Sequence, residues 1–113
     1  MFISCNTAQN SNNIIVLNYK EFKEKVIGKN VQLIDVRTVK EYKTGFIDGA
    51  ILIDFLQTEQ FKKQIELLDK NKSVYIYCRS GKRSAKASEL FIKQGFTKVY
   101  DLSGGYKSWV KNK

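Results

Sequence analysis

Cys78 is followed by Arg79, Ser80, Gly81, Lys82, Arg83 and Ser84. This stretch has the composition of an anion-binding loop around a reactive sulfur. Gly81 accepts backbone angles that other residues avoid, so successive N–H groups can curl inward around one point. A helix starting directly behind the loop would aim its positive dipole end at the same point. Arg79, Lys82 and Arg83 add three positive charges within five residues. All of these favour a thiolate over a thiol. A lone cysteine at a strand end is more often a small buried hydrophobe. Such a cysteine has no use for a basic, glycine-containing loop and a helix start behind it, so the functional reading is preferred.

The chain contains no histidine, which excludes Cys-His and Ser-His nucleophile pairs. Any activation of Cys78 must come from positive charge and backbone dipoles. The other cysteine, Cys5, lies far away in sequence; the two make neither a disulfide framework nor a metal site, and no cofactor is implied. Twenty Lys and Arg against eleven Asp and Glu give a net charge of +9, which favours anionic ligands. The basic residues are spread along the chain without a nucleic-acid-binding motif, so a small anionic substrate is expected and nucleic acid is not.

The elements that must hold this loop follow from patterning. The length of 113 residues fits one small domain with one core. Ile14–Leu17 reads as a strand, and Asn18 as an N-cap with Glu21 completing a capping box. The helix behind it carries Phe22 and Val26 on one face and is stopped by Gly28. Strands are expected at Val31–Val36, Ala50–Ile53, Ser73–Tyr77 and Lys98–Tyr100. Helices are expected at Lys40–Lys43, Glu59–Leu68, Ser84–Gln94 and Tyr106–Val110. Alternating strands and helices predict an α/β domain, a small parallel sheet with helices on both faces, over residues 14–113. Cys78 then falls at the carboxyl end of a strand, where open parallel sheets bind ligands.

With those elements in place, the segment Cys78–Ser84 resembles the active-site loop of single-domain rhodaneses. Leu33-Ile34-Asp35-Val36-Arg37 followed by Glu41-Tyr42 resembles the family's first signature. Gly45-Phe46-Ile47-Asp48-Gly49-Ala50 resembles its second, and Gly104-Gly105-Tyr106 with Trp109 its closing one. The resemblance runs from about Ile15 to Val110, and four motifs in the right order make it specific. Phe46 and Asp48 depart from the family pattern, which often has His and Pro there; local loop packing or partner choice is affected, not the chemistry at Cys78. The resemblance implies a thiosulfate sulfurtransferase. Cys78 would take the outer sulfur of a small anionic donor as a persulfide and hand it to a thiol, cyanide or protein thiol acceptor. The backbone N–H groups of Arg79, Ser80, Gly81, Lys82, Arg83 and Ser84 would cradle the terminal sulfur, and Arg79, Lys82 and Arg83 would orient the donor.

Asp35 and Arg37 are expected to be structural neighbours of the site. A carboxylate at a strand end can act as a base, but a half-buried arginine needs an anion, and Asp35 or Glu41 can supply it. Trp109 is expected in the core, with a wall of the site as the alternative. The nearest rival chemistry is that of cysteine phosphatases and arsenate reductases. They use Cys-x5-Arg, whereas here Arg83 comes one position early and Ser84 stands sixth after Cys78. A persulfide carrier or interaction module that serves a partner protein is the rival of a different class. The domain is expected to act as a monomer.

Residues 1–13 read as a disordered polar tether. No stretch reaches the ~20 apolar residues of a membrane span. Ile3-Ser4-Cys5 before a polar run is similar to the lipidation site of bacterial lipoproteins, although four residues are too few for a signal region. Two locations are therefore expected: cytoplasmic if Met1 is the true start, and lipid-anchored through Cys5 if translation begins upstream.

Overall fold

The computed structural model describes residues 13–113; the tether reading of residues 1–13, apart from Asn13, and the lipidation reading of Cys5 lie outside the described residues. Five strands form one sheet: β1 Ile14–Leu17, β2 Gln32–Asp35, β3 Ile51–Leu52, β4 Val74–Tyr77 and β5 Val99–Leu102. Their spatial order is β1-β5-β4-β2-β3 and every pairing is parallel. Five helices connect or flank them: α1 Tyr19–Val26, α2 Val39–Lys43, α3 Thr58–Ile65, α4 Lys82–Lys93 and α5 Gly105–Asn112. Among the described residues, no helix is long and apolar enough to cross a membrane.

Parallel strands are joined by helical crossovers, so both faces of the sheet are covered and both are apolar. One face sets Ile34, Val74, Ile76 and Val99 against Phe61 and Ile65 of α3 and Ala87 and Phe91 of α4. The opposite face sets Leu33, Tyr77 and Leu102 against Phe22 and Val26 of α1 and Trp109 of α5. Trp109 packs edge-on to Tyr19, ring centres 5.1 Å apart, as a core residue.

Several boundaries differ from the sequence expectation. The Asn18–Glu21 capping box forms as read. A second box, Thr38 with Glu41, starts α2 one residue earlier than expected. The third strand shrinks to two residues, and α3 ends at Ile65 rather than Leu68. Two shifts bear on function. Helix α4 begins at Lys82, so Lys82 and Arg83 belong to its first turn and not to the loop. Strand β5 continues past Tyr100 through Asp101 and Leu102.

Candidate functional site

Strand β4 lies in the middle of the sheet and delivers Cys78 at its carboxyl end. Side chains alternate along a strand. Cys78 therefore shares the α4 side of the sheet with Val74 and Ile76, and it is fully buried there. Gly81, with φ at +110°, folds the loop back so that its N–H donates to Cys78 Sγ at 3.0 Å. The next residue starts α4. The N–H groups of its first turn precede the first helix-type bond, Ala85 N–H to Gly81 O, so the positive end of the helix faces the loop. The sulfur and Ser84 Oγ are 3.5 Å apart, and Ser84 is fully buried. Of the six residues expected to cradle sulfur, Gly81 and Ser84 are the ones in hydrogen-bond reach of Sγ.

The cations around the loop are not equivalent. Arg83 forks onto Glu41, with Nη1 to Oε1 at 2.7 Å and Nη2 to Oε2 at 2.8 Å. This bond holds the Glu41 carboxyl down to about 2, despite partial burial, with Thr38 assisting. The same pairing, with a smaller contribution from Cys78, holds Arg83 above its usual range. Arg83 is thus neutralised by a carboxylate, and Glu41 serves Arg83 rather than Arg37. Arg79 and Lys82 are exposed at the rim.

Asp35 and Arg37 form a separate buried pair. Arg37 Nη2 lies 2.6 Å from Asp35 Oδ2 and Nε 3.0 Å from Oδ1. The Arg37 guanidinium also donates to Gly45 O at 2.7 Å and stacks over the Tyr106 ring at 4.3 Å. Burial alone lowers the pKa of this guanidinium; Asp35 outweighs burial, so Arg37 stays above its ordinary value. The pair ties the end of β2 to the Gly45 turn and to α5. Phe46, one of the two departures from the expected pattern, is partly exposed and stacks flat on Tyr42 at 4.0 Å; Asp48 is exposed.

Two features beside the loop were not legible in the sequence. The first is the start of α5. Tyr106 N–H donates to Cys78 O at 2.7 Å and Lys107 N–H to Arg79 O at 3.0 Å, which pins the backbone that carries the sulfur. The Gly104-Gly105 pair was the available signal, since only a residue without Cβ fits this approach. Beside it opens a cleft of about 400 Å³ whose walls include Thr44, Arg79, Tyr106, Lys107, Val110 and Lys111. The second is Asp101 on β5, which is 5% exposed. Burial pushes its carboxyl up to about 6, against the opposing hydrogen-bonding influence of Ser84.

Residues 18–112 match the Rhodanese-like domain family. The chain belongs to that family. The domain is 41% identical over 81 residues to the Bacillus subtilis protein YqhL, covering 72% of this chain and 62% of that protein. It is 32% identical over 105 residues to the putative sulfur carrier protein YrkF of the same organism, covering 92% of this chain and 55% of that protein. The chain thus spans little more than half the length of these curated relatives. Among solved structures, a rhodanese-like domain protein from Staphylococcus aureus superposes with a TM-score of 0.74 at 32% identity, covering 84% of this chain and 90% of that one. Membership of the rhodanese-like family supports a sulfur-transfer role for the domain.

Proposed function

We propose that the domain is a sulfurtransferase in which Cys78 carries sulfur between thiosulfate, or a similar anionic donor, and a thiol or cyanide acceptor. The observation that carries this reading is the Gly81 N–H on Cys78 Sγ at the head of α4. An amide and a helix N-terminus aimed at one sulfur stabilise negative charge there without a base. In the first half-reaction the Cys78 thiolate attacks the outer sulfur of thiosulfate. A new S–S bond forms, the donor S–S bond breaks, and sulfite leaves with the electron pair. In the second, a thiolate or cyanide attacks the outer persulfide sulfur, and Cys78 leaves as thiolate. The exposed Arg79 and Lys82 are suited to attract the donor anion. Spacing argues against phosphate chemistry: Arg83 is one residue early for a phosphate loop and is already held by Glu41.

Delivery to a partner protein is the second reading. It is favoured by the likeness to a putative sulfur carrier over 92% of the chain and by the basic cleft beside the loop. The two readings share the persulfide and differ in the acceptor.

The test is sulfur loading. Intact protein treated with thiosulfate is expected to gain one sulfur atom on Cys78 by mass spectrometry. Cys78→Ser is expected to abolish thiosulfate:cyanide transfer, and Cys5→Ser to leave it intact. Full transfer by Cys78→Ser would overturn the proposal. A panel of small thiols and protein thiols offered to the loaded domain separates a general enzyme from a dedicated carrier.

A further inference from the structure

Lys107, Val110 and Lys111 stand at i, i+3 and i+4 of α5, on its outward face, while Gly105 and Trp109 occupy the buried one. All three wall the cleft of about 400 Å³ beside the loop, and Arg79 joins them from the loop itself. The three cations are exposed, and Val110 between the lysines is 49% exposed. Like charges at i, i+4 repel each other and do nothing for the helix by themselves. The carboxylates nearby are committed elsewhere. Among the described residues the ion pairs are Arg37–Asp35, Arg83–Glu41 and Lys70–Glu66. Arg37 and Glu41 also wall the cleft, but each is neutralised by its own partner. The cleft is left with the positive charges of Arg79, Lys107 and Lys111.

We propose that this cleft docks a short acidic segment of the partner protein that accepts sulfur, with the acceptor cysteine adjoining the acidic residues. The proposal rests on the reading of Cys78 as a sulfur carrier that delivers to a protein thiol.

The layout of the charges selects the occupant. A single small anion is held by groups that converge on one point. Here the cations are strung out: Arg79 directly follows Cys78, and Lys107 and Lys111 continue along α5. The two lysines are separated by about 6 Å of helix rise. An extended chain advances about 3.3 Å per residue, so two or three acidic residues run the length of the pair. An apolar side chain among them can rest on Val110. Cys78 is fully buried, which favours a narrow segment over a flat protein surface as the bearer of the acceptor thiol. The docking face is also braced to the loop. Tyr106 N–H donates to Cys78 O at 2.7 Å and Lys107 N–H to Arg79 O at 3.0 Å. A segment lying on α5 is therefore held at a fixed place relative to the sulfur-bearing backbone.

In the transfer step the partner's cysteine thiolate attacks the outer persulfide sulfur. A new S–S bond forms on the partner, the bond to Cys78 breaks, and Cys78 leaves as thiolate. Acidic residues beside a cysteine favour its thiol over its thiolate; the cations of the cleft offset that once the segment is bound.

The experiment uses two blocked peptides. One carries three glutamates, a leucine and a terminal cysteine; the other has glutamines in place of the glutamates. The Cys5→Ser chain is loaded with sulfur on Cys78, checked by mass, and its transfer rate to each peptide is measured at low salt. Exposed ion pairs are weak, each a gain of about twofold, so three favour the glutamate peptide by about eightfold. Lys107→Gln with Lys111→Gln is expected to cut that ratio to about twofold. Raising salt to about 0.5 M is expected to remove most of it. Lys63→Gln with Lys93→Gln removes the same charge from exposed positions on α3 and α4, across the sheet, and is expected to keep the full ratio. A ratio near one in the parent chain overturns the proposal, and so does an equal drop in both double variants. Mercaptosuccinate, a small thiol with two carboxylates, can meet Arg79 but cannot span α5. If its transfer falls as far as the glutamate peptide's in the Lys107 and Lys111 variant, the cleft serves small acidic thiols and the proposal is wrong. Binding of the fluorescently tagged peptides to the chain with Cys5→Ser and Cys78→Ser reads docking without any sulfur. The same eightfold preference is expected there, and equal binding of the two peptides overturns the proposal. Failure of sulfur loading thus leaves docking readable, and failure of docking leaves sulfur loading untouched.

Discussion

Replacing Gly105 with alanine places a methyl carbon 2.5 Å from the Cys78 carbonyl oxygen and 2.6 Å from the carbonyl carbon and oxygen of Arg79. These are backbone atoms of the active loop and cannot swing aside. For ordinary contact the loop and α5 must part by roughly an ångström, which disturbs Tyr106 N–H to Cys78 O and Lys107 N–H to Arg79 O. Each net hydrogen bond contributes about 1 kcal/mol. The positive φ of +62° adds roughly 1 kcal/mol for any residue with a Cβ. The expected loss is about 3 kcal/mol, which a domain of ordinary stability survives. Gly28→Ala is the control: φ is +73°, but nothing lies within 4 Å of the added carbon, so about 1 kcal/mol is expected. Urea denaturation measures both. In the folded Gly105→Ala protein, a retreat of about an ångström at the sulfur-bearing backbone is expected to slow sulfur loading by 10- to 100-fold. Gly28→Ala is expected to load normally. If Gly105→Ala is no less stable than Gly28→Ala and loads at the wild-type rate, the bracing argument is wrong.

Glu41→Gln is expected to cost about 1–2 kcal/mol at neutral pH by breaking the fork to Arg83 and weakening the Thr38 cap. Because the folded carboxyl titrates at about 2 and the ordinary value is 4.5, that difference should be complete above pH 4.5 and vanish as pH falls toward 2. Urea titrations across that range check it, and a pH-independent difference would contradict the assignment. Arg37→Lys keeps the charge but loses the fork on Asp35 and the bond to Gly45 O. A loss of about 2–3 kcal/mol in the same denaturation assay is expected, and a loss below 1 kcal/mol would show that the pair contributes little.

What the sequence disclosed depended on how local each interaction is. The Asn18–Glu21 box joins residues three positions apart and can be read from residue types alone. The same applies to Phe22 and Val26, which share a helix face, and to Cys78 between the apolar β4 and a basic loop. The start of α4 was less legible because its N-cap is Gly81, which offers no capping side chain; the helix was therefore expected two residues too late. The Arg83–Glu41 bridge joins residues 42 apart, brought together only when β2 and β4 pair. Arg83 therefore counted as a free cation in the sequence. Asp101 was passed over for a related reason. A charged residue after Val99-Tyr100 reads as the end of a strand, yet β5 continues and α4 covers the carboxylate.

These differences change how the loop holds negative charge. Counted along the chain, three cations follow Cys78. In the fold, Arg83 is neutralised by Glu41, and Arg79 and Lys82 stand in solvent, where salt screens them over about 8–10 Å. The sulfur itself is buried, and what touches it is one amide, one hydroxyl and the head of a helix. Fixed dipoles inside a low-dielectric site are not screened and need not reorganise when charge develops. Two tasks that the sequence of the basic loop combines are therefore separated in space. The rim cations gather an anionic donor from solution, and the Gly81 amide with the α4 terminus steadies the sulfur that receives it. The contact that fixes this second set lies on another element: Gly105 presses from α5.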